Sequence, residues 1–136
     1  MSRSQGKSDL EAFFADGTAT LEAIGRYWEA LHEAPVRPAV EPGAIDRMMP
    51  REAPEQPLPF AEALQELTAL VEPGLVGWQS PRWHAFWPAN GGPASLFGDM
   101  LSAGYGQQGM LWATSPACTE VEARVVEWLR LLPGLP

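Results

Sequence analysis

Residues 8–33, SDLEAFFADGTATLEAIGRYWEALHE, are the stretch that decides the fold class of this chain. Their apolar positions recur at alternating steps of four and three, the spacing that places side chains on one face of an α-helix. Ser8 and Glu11 stand three positions apart, as in a capping box, so the sequence predicts that the helix begins at Ser8. The expected apolar face consists of Leu10, Phe14, Gly17, Leu21, Ile24, Trp28 and Leu31.

The apolar face of this helix needs a packing partner, and two alternatives stay open. It packs against another helix of the same chain, or it packs against a second subunit, because few helices follow nearby. Gly17 lies in the middle of the face and weakens a helix by about 1 kcal/mol relative to alanine. It either permits close packing or interrupts the helix.

Residues 34–59 contain seven prolines and are not expected to form a long regular helix. A stretch of this composition is typical of a linker, or of a strap laid over a surface. Ile45, Met48 and Met49 interrupt it, and we expect them to pack as a short helical turn.

Three further helices are predicted, at residues 60–71, 93–104 and 116–132. Pro73 and Gly74 end the first of them. Pro93 and Pro116 suit the first position of the other two, and Ser115 is the expected N-cap of the last. No convincing strand is found, so the chain is predicted to be all-α, with about four helices and a Pro-rich strap. The buried stripe expected on the last helix is Val121, Val125, Trp128, Leu129 and Leu132.

The composition argues against several classes of protein. Of 136 residues, 46% are apolar and 19% are charged, which predicts one small folded domain rather than a disordered chain. The net charge of −8 argues against nucleic acid or an anionic membrane as a partner, and no apolar run is long enough to span a bilayer. A polar N-terminus without a signal peptide, and the single cysteine Cys118, indicate a cytoplasmic protein.

Residues 82–93, RWHAFWPANGGP, crowd bulky side chains against an irregular Pro/Gly turn. The rings either plug a core or form the wall of a small-molecule pocket, where irregular backbone offers amides for polar contacts. His84 has no visible carboxylate partner, and Cys118 is expected to be a buried structural thiol. The sequence therefore predicts no catalytic residue and no metal site in this chain.

Two stretches, taken in order, resemble a known family. They are VEPGAIDRMMPREAPEQP, residues 40–57, and PRWHAFWPANGGPASLFGDMLSAGYGQQGMLWATSPACTEVEARVVEWL, residues 81–129. They resemble the N-terminal part of the group II pyridoxal-phosphate-dependent amino-acid decarboxylases, above all the aromatic-L-amino-acid and tyrosine decarboxylase branch. The resemblance covers residues 8–136, and SPACTE before a helix with a tryptophan near its end is its most specific element.

The resemblance implies a place for each part of the chain. Members of this family are fold-type I α/β enzymes and homodimers whose N-terminal helices wrap over the other subunit. Residues 1–7 would be a flexible tail, and residues 8–79 a dimer-clasping segment with its strap at 34–59. Residues 80–136 would line the pocket and begin the large domain.

The resemblance also implies which residues contact the substrate. The stretch at residues 82–93, which we call the aromatic segment, would line the pocket around the amino acid's side chain. The loop before SPACTE would reach the pocket of the neighbouring subunit. Gly91 and Gly92 replace small hydroxyl residues of many relatives, and Met110 replaces an aromatic residue, which implies a reshaped pocket. The implied contacts are Phe86, Trp87, Pro88 and Ala89 from the segment, with Gln108 and Met110 from the loop.

The cofactor implied by the resemblance is pyridoxal 5′-phosphate (PLP), and its binding residues are expected outside this chain. The family's stacking histidine, its pyridine-binding aspartate and its Schiff-base lysine lie beyond the matched stretch, and the only lysine here, Lys7, corresponds to none of them. The chain alone is therefore expected to be inactive. Its expected partner is the remainder of the same enzyme or a larger PLP-binding chain, separated by a split gene, proteolysis or truncation.

Two functions stay open at this point. The first is the N-terminal piece of a PLP-dependent amino-acid decarboxylase, a carboxy-lyase, or of a relative that deaminates its substrate oxidatively on the same scaffold. The second is a non-catalytic helical interaction module that binds or stabilises a decarboxylase-like partner. In either case the identity of the amino acid stays open.

Overall fold

The computed structural model describes residues 3–88 and 91–134, with side chains from Ser8 onward. Its contacts divide the chain into two units, Met1–Asn90 and Gly91–Pro136. The described residues form helices and connecting turns, and no strand occurs among them, which confirms the all-α prediction. The α-helices are α1 Arg3–Ala30, α2 Ala44–Met48, α3 Phe60–Val71, α4 Pro93–Tyr105 and α5 Pro116–Leu131.

The first helix is longer at its N-terminus than the sequence predicted. It begins at Arg3, so Ser8 lies inside the helix and the predicted start at a Ser8 capping box is wrong. No proline occurs before Pro35, so no residue in this polar stretch prevents a helix from extending towards the N-terminus. The helix also continues through Gly17 without a break, and a methyl group at that position would meet nothing within 4 Å.

The structure contains both the short helix expected within residues 34–59 and the longer helix predicted at 60–71. The short helical turn expected from Ile45, Met48 and Met49 is α2, which contacts α3. Met49 follows the end of α2 and both methionines are exposed, so the expectation that they pack is wrong. The third helix has the predicted bounds, and a 3₁₀ turn at Glu72–Gly74 ends it where Pro73 and Gly74 were expected to do so. Proline and glycine act through the local backbone, which is why these boundaries could be predicted without knowledge of the tertiary structure.

Unit Met1–Asn90 is built on the packing of α3 against the C-terminal half of α1. Ala23 and Leu31 are buried there, each with 6% of its surface exposed. Between the two helices lies a largely apolar groove of about 240 Å³. It is lined mainly by Ala23, Ile24 and Tyr27 from α1 and by Leu64, Leu67 and Val71 from α3.

The N-terminal half of α1 has a different environment. Leu10 and Phe14, which belong to the predicted apolar face, are exposed, and Phe14 packs only edge-to-face on Phe13, with ring centroids 5.5 Å apart. The same-chain alternative is therefore confirmed for the C-terminal half of the face. The other half remains uncovered among the described residues.

Unit Gly91–Pro136 contains α4, the loop at residues 106–115, and α5. Gly106 adopts a left-handed conformation with φ 58° and ends α4. The stripe predicted to be buried on α5 is exposed instead, so that expectation is wrong for this chain. Two helices and one loop supply too little surface to cover both apolar faces. The exposed residues of the stripe are Val121, Val125, Trp128, Leu129 and Leu132.

Large hydrophobic residues are exposed in both units, on α1, α3, α4 and α5. Among the described helices, none is both long enough and apolar enough to cross a bilayer.

Leu31→Ala tests the packing at the end of α1. Because Leu31 is buried, we expect the isolated chain to lose about 2–3 kcal/mol of unfolding free energy through lost burial and a residual cavity. Urea denaturation followed by far-UV circular dichroism measures this loss. Leu10→Ala is the matched control on the same helix, with an expected change within about 0.5 kcal/mol because Leu10 is exposed. Equal losses in the two variants would contradict the described packing.

Candidate functional site

The aromatic segment is fastened to the turn that follows α1. Three donors from residues 77–82 reach three main-chain carbonyls at residues 31–36. The pairs are Gly77 N–H with Val36 O at 2.8 Å, Ser80 Oγ with Leu31 O at 3.3 Å, and the Arg82 guanidinium with Ala34 O. All three carbonyls follow the end of α1 at Ala30, where no helical hydrogen bond satisfies them, so these donors suit them. We call these three hydrogen bonds the α1 anchor.

Ser80 joins the two side-chain contacts of the α1 anchor. Its side chain is buried, and while its hydroxyl donates to Leu31 O it also accepts a hydrogen bond of 3.3 Å from the main-chain N–H of Arg82. This buried hydroxyl thus donates one hydrogen bond and accepts another. Removing it would leave Leu31 O and the Arg82 N–H without this partner. Ser80 therefore fixes the main chain where the aromatic segment begins.

Trp83 holds the next residues of the segment. Its ring lies against Trp78, with centroids 4.4 Å apart and planes tilted by 33°. Its indole N–H donates to the carbonyl of Phe86 at 2.7 Å, and its main-chain N–H donates to Ser80 O at 3.0 Å. This tryptophan thus packs inward and closes a turn over residues 83–86.

The aromatic rings of residues 83–87 differ in how far they are buried. Trp83 is partly buried, whereas Phe86 and Trp87 are 73% and 98% exposed. Pro88 is half-buried, and Ala89 lies outside the described residues. His84 is exposed. The two exposed rings stand on a turn that hydrogen bonds hold in place, so their apolar surfaces are available to a ligand or a partner.

The second predicted group of site residues belongs to the loop at residues 106–115. Gln108 and Met110 are both exposed, Met110 at 85%. The hydroxyl of Thr114 lies within hydrogen-bond distance of two carbonyls, Gln108 O at 2.8 Å and Leu111 O at 3.0 Å. This hydroxyl therefore holds the loop in a tight turn and presents Met110 at its outer side.

Ser115 occupies the N-cap position of α5, as predicted, but its side chain makes no capping hydrogen bond. It is only 2% exposed, and its hydroxyl donates instead to Gln107 Oε1 at 3.3 Å. The predicted capping role of its side chain is therefore wrong, since this hydroxyl bonds the preceding loop and accepts no N–H of the first turn of α5. Trp112 adds a second connection to the helix, since its indole N–H donates to Glu120 Oε1 at 2.9 Å.

Three other side chains that lie on α5 are Cys118, Glu127 and Arg130. Cys118 is exposed, so the expectation of a buried thiol is wrong. Arg130 donates two hydrogen bonds of 2.8 Å to Glu127, which lowers the pKa of that carboxyl and raises the pKa of the guanidinium, against a small opposing effect of burial. Among the described residues no group of three His, Cys, Asp or Glu side chains is placed to bind a metal ion.

Sequence reasoning missed the residues that hold these two segments. Ser80, Arg82 and Thr114 act through carbonyls, and the carbonyls that Ser80 and Arg82 bind lie 49 and 48 residues away. No local pattern carries such pairings. A sequence signal did exist for the turn itself, because Ser-Pro pairs favour turns and SPRW follows directly after a glycine-rich stretch.

Comparison with known proteins identifies what the chain is similar to. The Pyridoxal-dependent decarboxylase conserved domain matches residues 42–136. The chain is 38% identical to 3,4-dihydroxyphenylacetaldehyde synthase of Drosophila melanogaster and to tyrosine decarboxylase 1 of Narcissus pseudonarcissus. Each match extends over 128 residues, which are 94% of this chain and 25% of the relative. The chain thus spans about a quarter of the length of these curated relatives.

A solved structure gives the same result for the fold. The crystal structure of Oryza sativa TDC with PLP and tryptamine matches 93% of this chain, with a TM-score of 0.88 and 29% sequence identity. The match covers 26% of that chain. The similar part is the N-terminal region of these larger proteins, as the order of motifs predicted.

A double-mutant cycle at Ser115 and Gln107 tests whether Ser115 ties the loop or caps the helix. Ser115→Ala and Gln107→Met each remove the hydrogen bond, which is worth about 1 kcal/mol of unfolding free energy. Because the two side chains share that bond, the double variant should lose less than the sum, with a coupling of about 0.5–1.5 kcal/mol. Denaturant unfolding of the four proteins measures it. Additive losses would mean that Ser115 acts independently, as a cap does.

Proposed function

The chain belongs to the pyridoxal-dependent decarboxylase family, and from this membership we propose that it is the N-terminal part of a PLP-dependent amino-acid decarboxylase. The observation that carries the proposal is the extent of the similarity, which reaches 94% of the chain in relatives that include a decarboxylase. A free-standing interaction module has no comparable support. The whole enzyme would be a carboxy-lyase acting on an amino acid.

In this proposal the aromatic segment forms a wall of the substrate pocket. Phe86 and Trp87 would contact the side chain of the amino acid, with Pro88 and Ala89 beside them. The exposure of both rings supports this role, since a ligand that covers them gains the burial of large, stiff apolar surfaces at little entropic cost. Trp87 alone would bury more apolar area than an aliphatic residue at the same position.

The loop at residues 106–115 would supply further contacts to a substrate, in the pocket of a neighbouring subunit. Gln108 and Met110 would reach the pocket of a neighbouring subunit, and their exposure in this chain leaves them available for that contact. Met110 is flexible and polarisable, so it can adapt to an aromatic ring. The assembly required is a homodimer, in the cytoplasm, and the remainder of the enzyme is the partner of this chain.

The domain roles follow from the same assembly. Residues 1–7 would be a tail within which α1 begins, at Arg3. Residues 8–79 would clasp the second subunit with the uncovered N-terminal half of α1, while the strap at 34–59 connects the helices. Residues 80–136 would line the pocket and begin the large domain. The exposed apolar residues on α1 and α5 support this proposal, because a dimer would remove them from water.

PLP, when bound, supplies the electron sink for the carbanion that remains after loss of CO₂. The side chains described here do not fit the role of holding it, because the only lysine, Lys7, lies in the first turns of α1, before the described side chains begin. The remainder of the enzyme would therefore hold the cofactor. The residues of this chain bind and orient the amino acid and exclude water from one side of the pocket.

The pocket wall does not decide whether the enzyme would decarboxylate the amino acid or deaminate it oxidatively. Relatives of this chain include an aldehyde synthase as well as a decarboxylase. Phe86 and Trp87 would contact the substrate's side chain in either case. Both a simple decarboxylation and an oxidative deamination therefore remain possible reactions for the same binding surface.

Analysis of the native protein that contains this chain tests the proposed function. Denaturing intact-mass measurement should show the polypeptide that contains this chain and its partner. A visible absorption spectrum should show the PLP chromophore in the assembled protein. Incubation with aromatic amino acids should then release CO₂. Amine without ammonia indicates decarboxylation, whereas aldehyde with ammonia indicates oxidative deamination. A protein with neither chromophore nor CO₂ release would overturn the proposal.

Trp87→Ala in that enzyme tests the pocket wall. Loss of the indole surface should raise KM for an aromatic amino acid by about tenfold, because one large apolar contact is worth a few kcal/mol at most in a pocket. Steady-state kinetics with purified enzyme measures the change. Met48→Ala, at an exposed apolar residue of α2, is the control and should leave KM unchanged. If both variants keep the original KM, Trp87 does not line the pocket.

A further inference from the structure

We propose that Ser80 and Arg82 are positioning residues for the substrate pocket: through the α1 anchor they set where Phe86 and Trp87 stand. This inference rests on the proposed function and adds to it two residues that make no contact with substrate themselves. Its basis is that the pocket wall belongs to a segment without regular structure. A few side-chain hydrogen bonds determine the position of that segment.

The first step is the lack of other support for the aromatic segment. Residues 75–88 contain neither helix nor strand, so no ladder of main-chain hydrogen bonds fixes them. Their long-range hydrogen bonds are those of the α1 anchor, which join residues 31–36 to residues 77–82. The position of the segment relative to α1 therefore depends on the three donors of the anchor.

The second step concerns the strength of the two side-chain donors. Arg82 is charged, and hydrogen bonds from charged groups are the stronger class. Ser80 is buried, so a loss of its hydroxyl leaves Leu31 O and the Arg82 N–H without their partner in a poorly hydrated place. The guanidinium of Arg82 is thus engaged with Ala34 rather than directed to a substrate carboxylate.

The third step leads from the anchor to the exposed rings. Ser80 O accepts the N–H of Trp83, and the Trp83 indole donates to the carbonyl of Phe86. A displacement at Ser80 or Arg82 is therefore passed on to Phe86 through two hydrogen bonds. Trp87 is the next residue, and at 98% exposure this chain provides no packing that would hold its ring independently. Because a displaced wall loses contact with the substrate's side chain, the anchor is sufficient to influence substrate binding.

Kinetics of the holoenzyme with Arg82→Ala and Ser80→Ala test this proposal. We expect kcat/KM for an aromatic amino acid to fall about tenfold, mainly through KM, because the wall binds the side chain and takes no part in the chemistry. A small aliphatic amino acid should be affected much less. Arg82→Lys retains a charged donor and should recover part of the loss. Arg37→Ala, at an exposed arginine beside the anchor, is the matched control and should equal the unaltered enzyme.

The outcomes separate a positioning role from a general loss of stability. A loss confined to aromatic substrates, with an unchanged PLP absorption spectrum and partial recovery in Arg82→Lys, supports the proposal. An equal loss for all substrates, or a KM within about twofold of the Arg37→Ala control, overturns it. If Arg82→Ala does not fold, Ser80→Ala and Arg82→Lys must show the same selectivity for the proposal to stand.

A second readout keeps this proposal distinct from the proposed function. Amide hydrogen exchange of the chain itself should become about tenfold faster at Trp83, whose N–H donates to Ser80 O, in Arg82→Ala and remain unchanged in Arg37→Ala. Unchanged exchange in both variants means that the anchor does not hold the segment. An enzyme without CO₂ release, combined with faster exchange in Arg82→Ala, would overturn the function and leave the anchor's structural effect intact.

Discussion

The contact between α3 and the C-terminal half of α1 is the interaction on which the first unit depends. It buries Ala23 and brings the chain back to the end of α1 after a strap of proline-rich sequence. Only because α3 returns there can residues 77–82 reach the carbonyls at 31–36. The aromatic segment is therefore fixed by a hydrophobic contact and by hydrogen bonds that this contact makes possible.

The second constraint is the shortage of surface that the chain can bury by itself. Helices α1, α4 and α5 all carry apolar side chains that the described residues leave uncovered. In a chain that spans a quarter of its relatives' length, such faces are expected, because the surfaces that cover them in a larger protein lie elsewhere. The periodicity thus shows which helix faces are apolar, while the exposure shows that the described residues leave them uncovered.

The sequence predicted the elements that local chemistry determines. The bounds of α3 and the starts of α4 and α5 were correct, because Pro93, Pro116 and the Pro73-Gly74 pair act within one turn of backbone. It failed for the side chain of Ser115, which makes no capping hydrogen bond and donates to Gln107 in the preceding loop. It also failed for the exposed stripe of α5, since periodicity identifies an apolar face without identifying what covers it.

The same limit applies to the candidate site. Sequence patterns singled out Phe86 and Trp87, whose type and crowding are visible locally, and the structure adds that both rings are exposed on a fixed turn. Ser80 and Arg82 could not be identified in this way, because their partners lie 49 and 48 residues away and are main-chain atoms. Main-chain acceptors have no residue type, so they leave no trace in a sequence.

The Gly77–Val36 hydrogen bond closes residues 36–77 into a loop with a narrow neck, and this has a consequence for proteolysis. Residues 50–58 at the far side of that loop are exposed throughout and contain no regular structure. A protease that cuts there breaks no contact of the neck or of the groove between α1 and α3. The two products would remain associated, and the nicked protein would separate only under denaturing conditions.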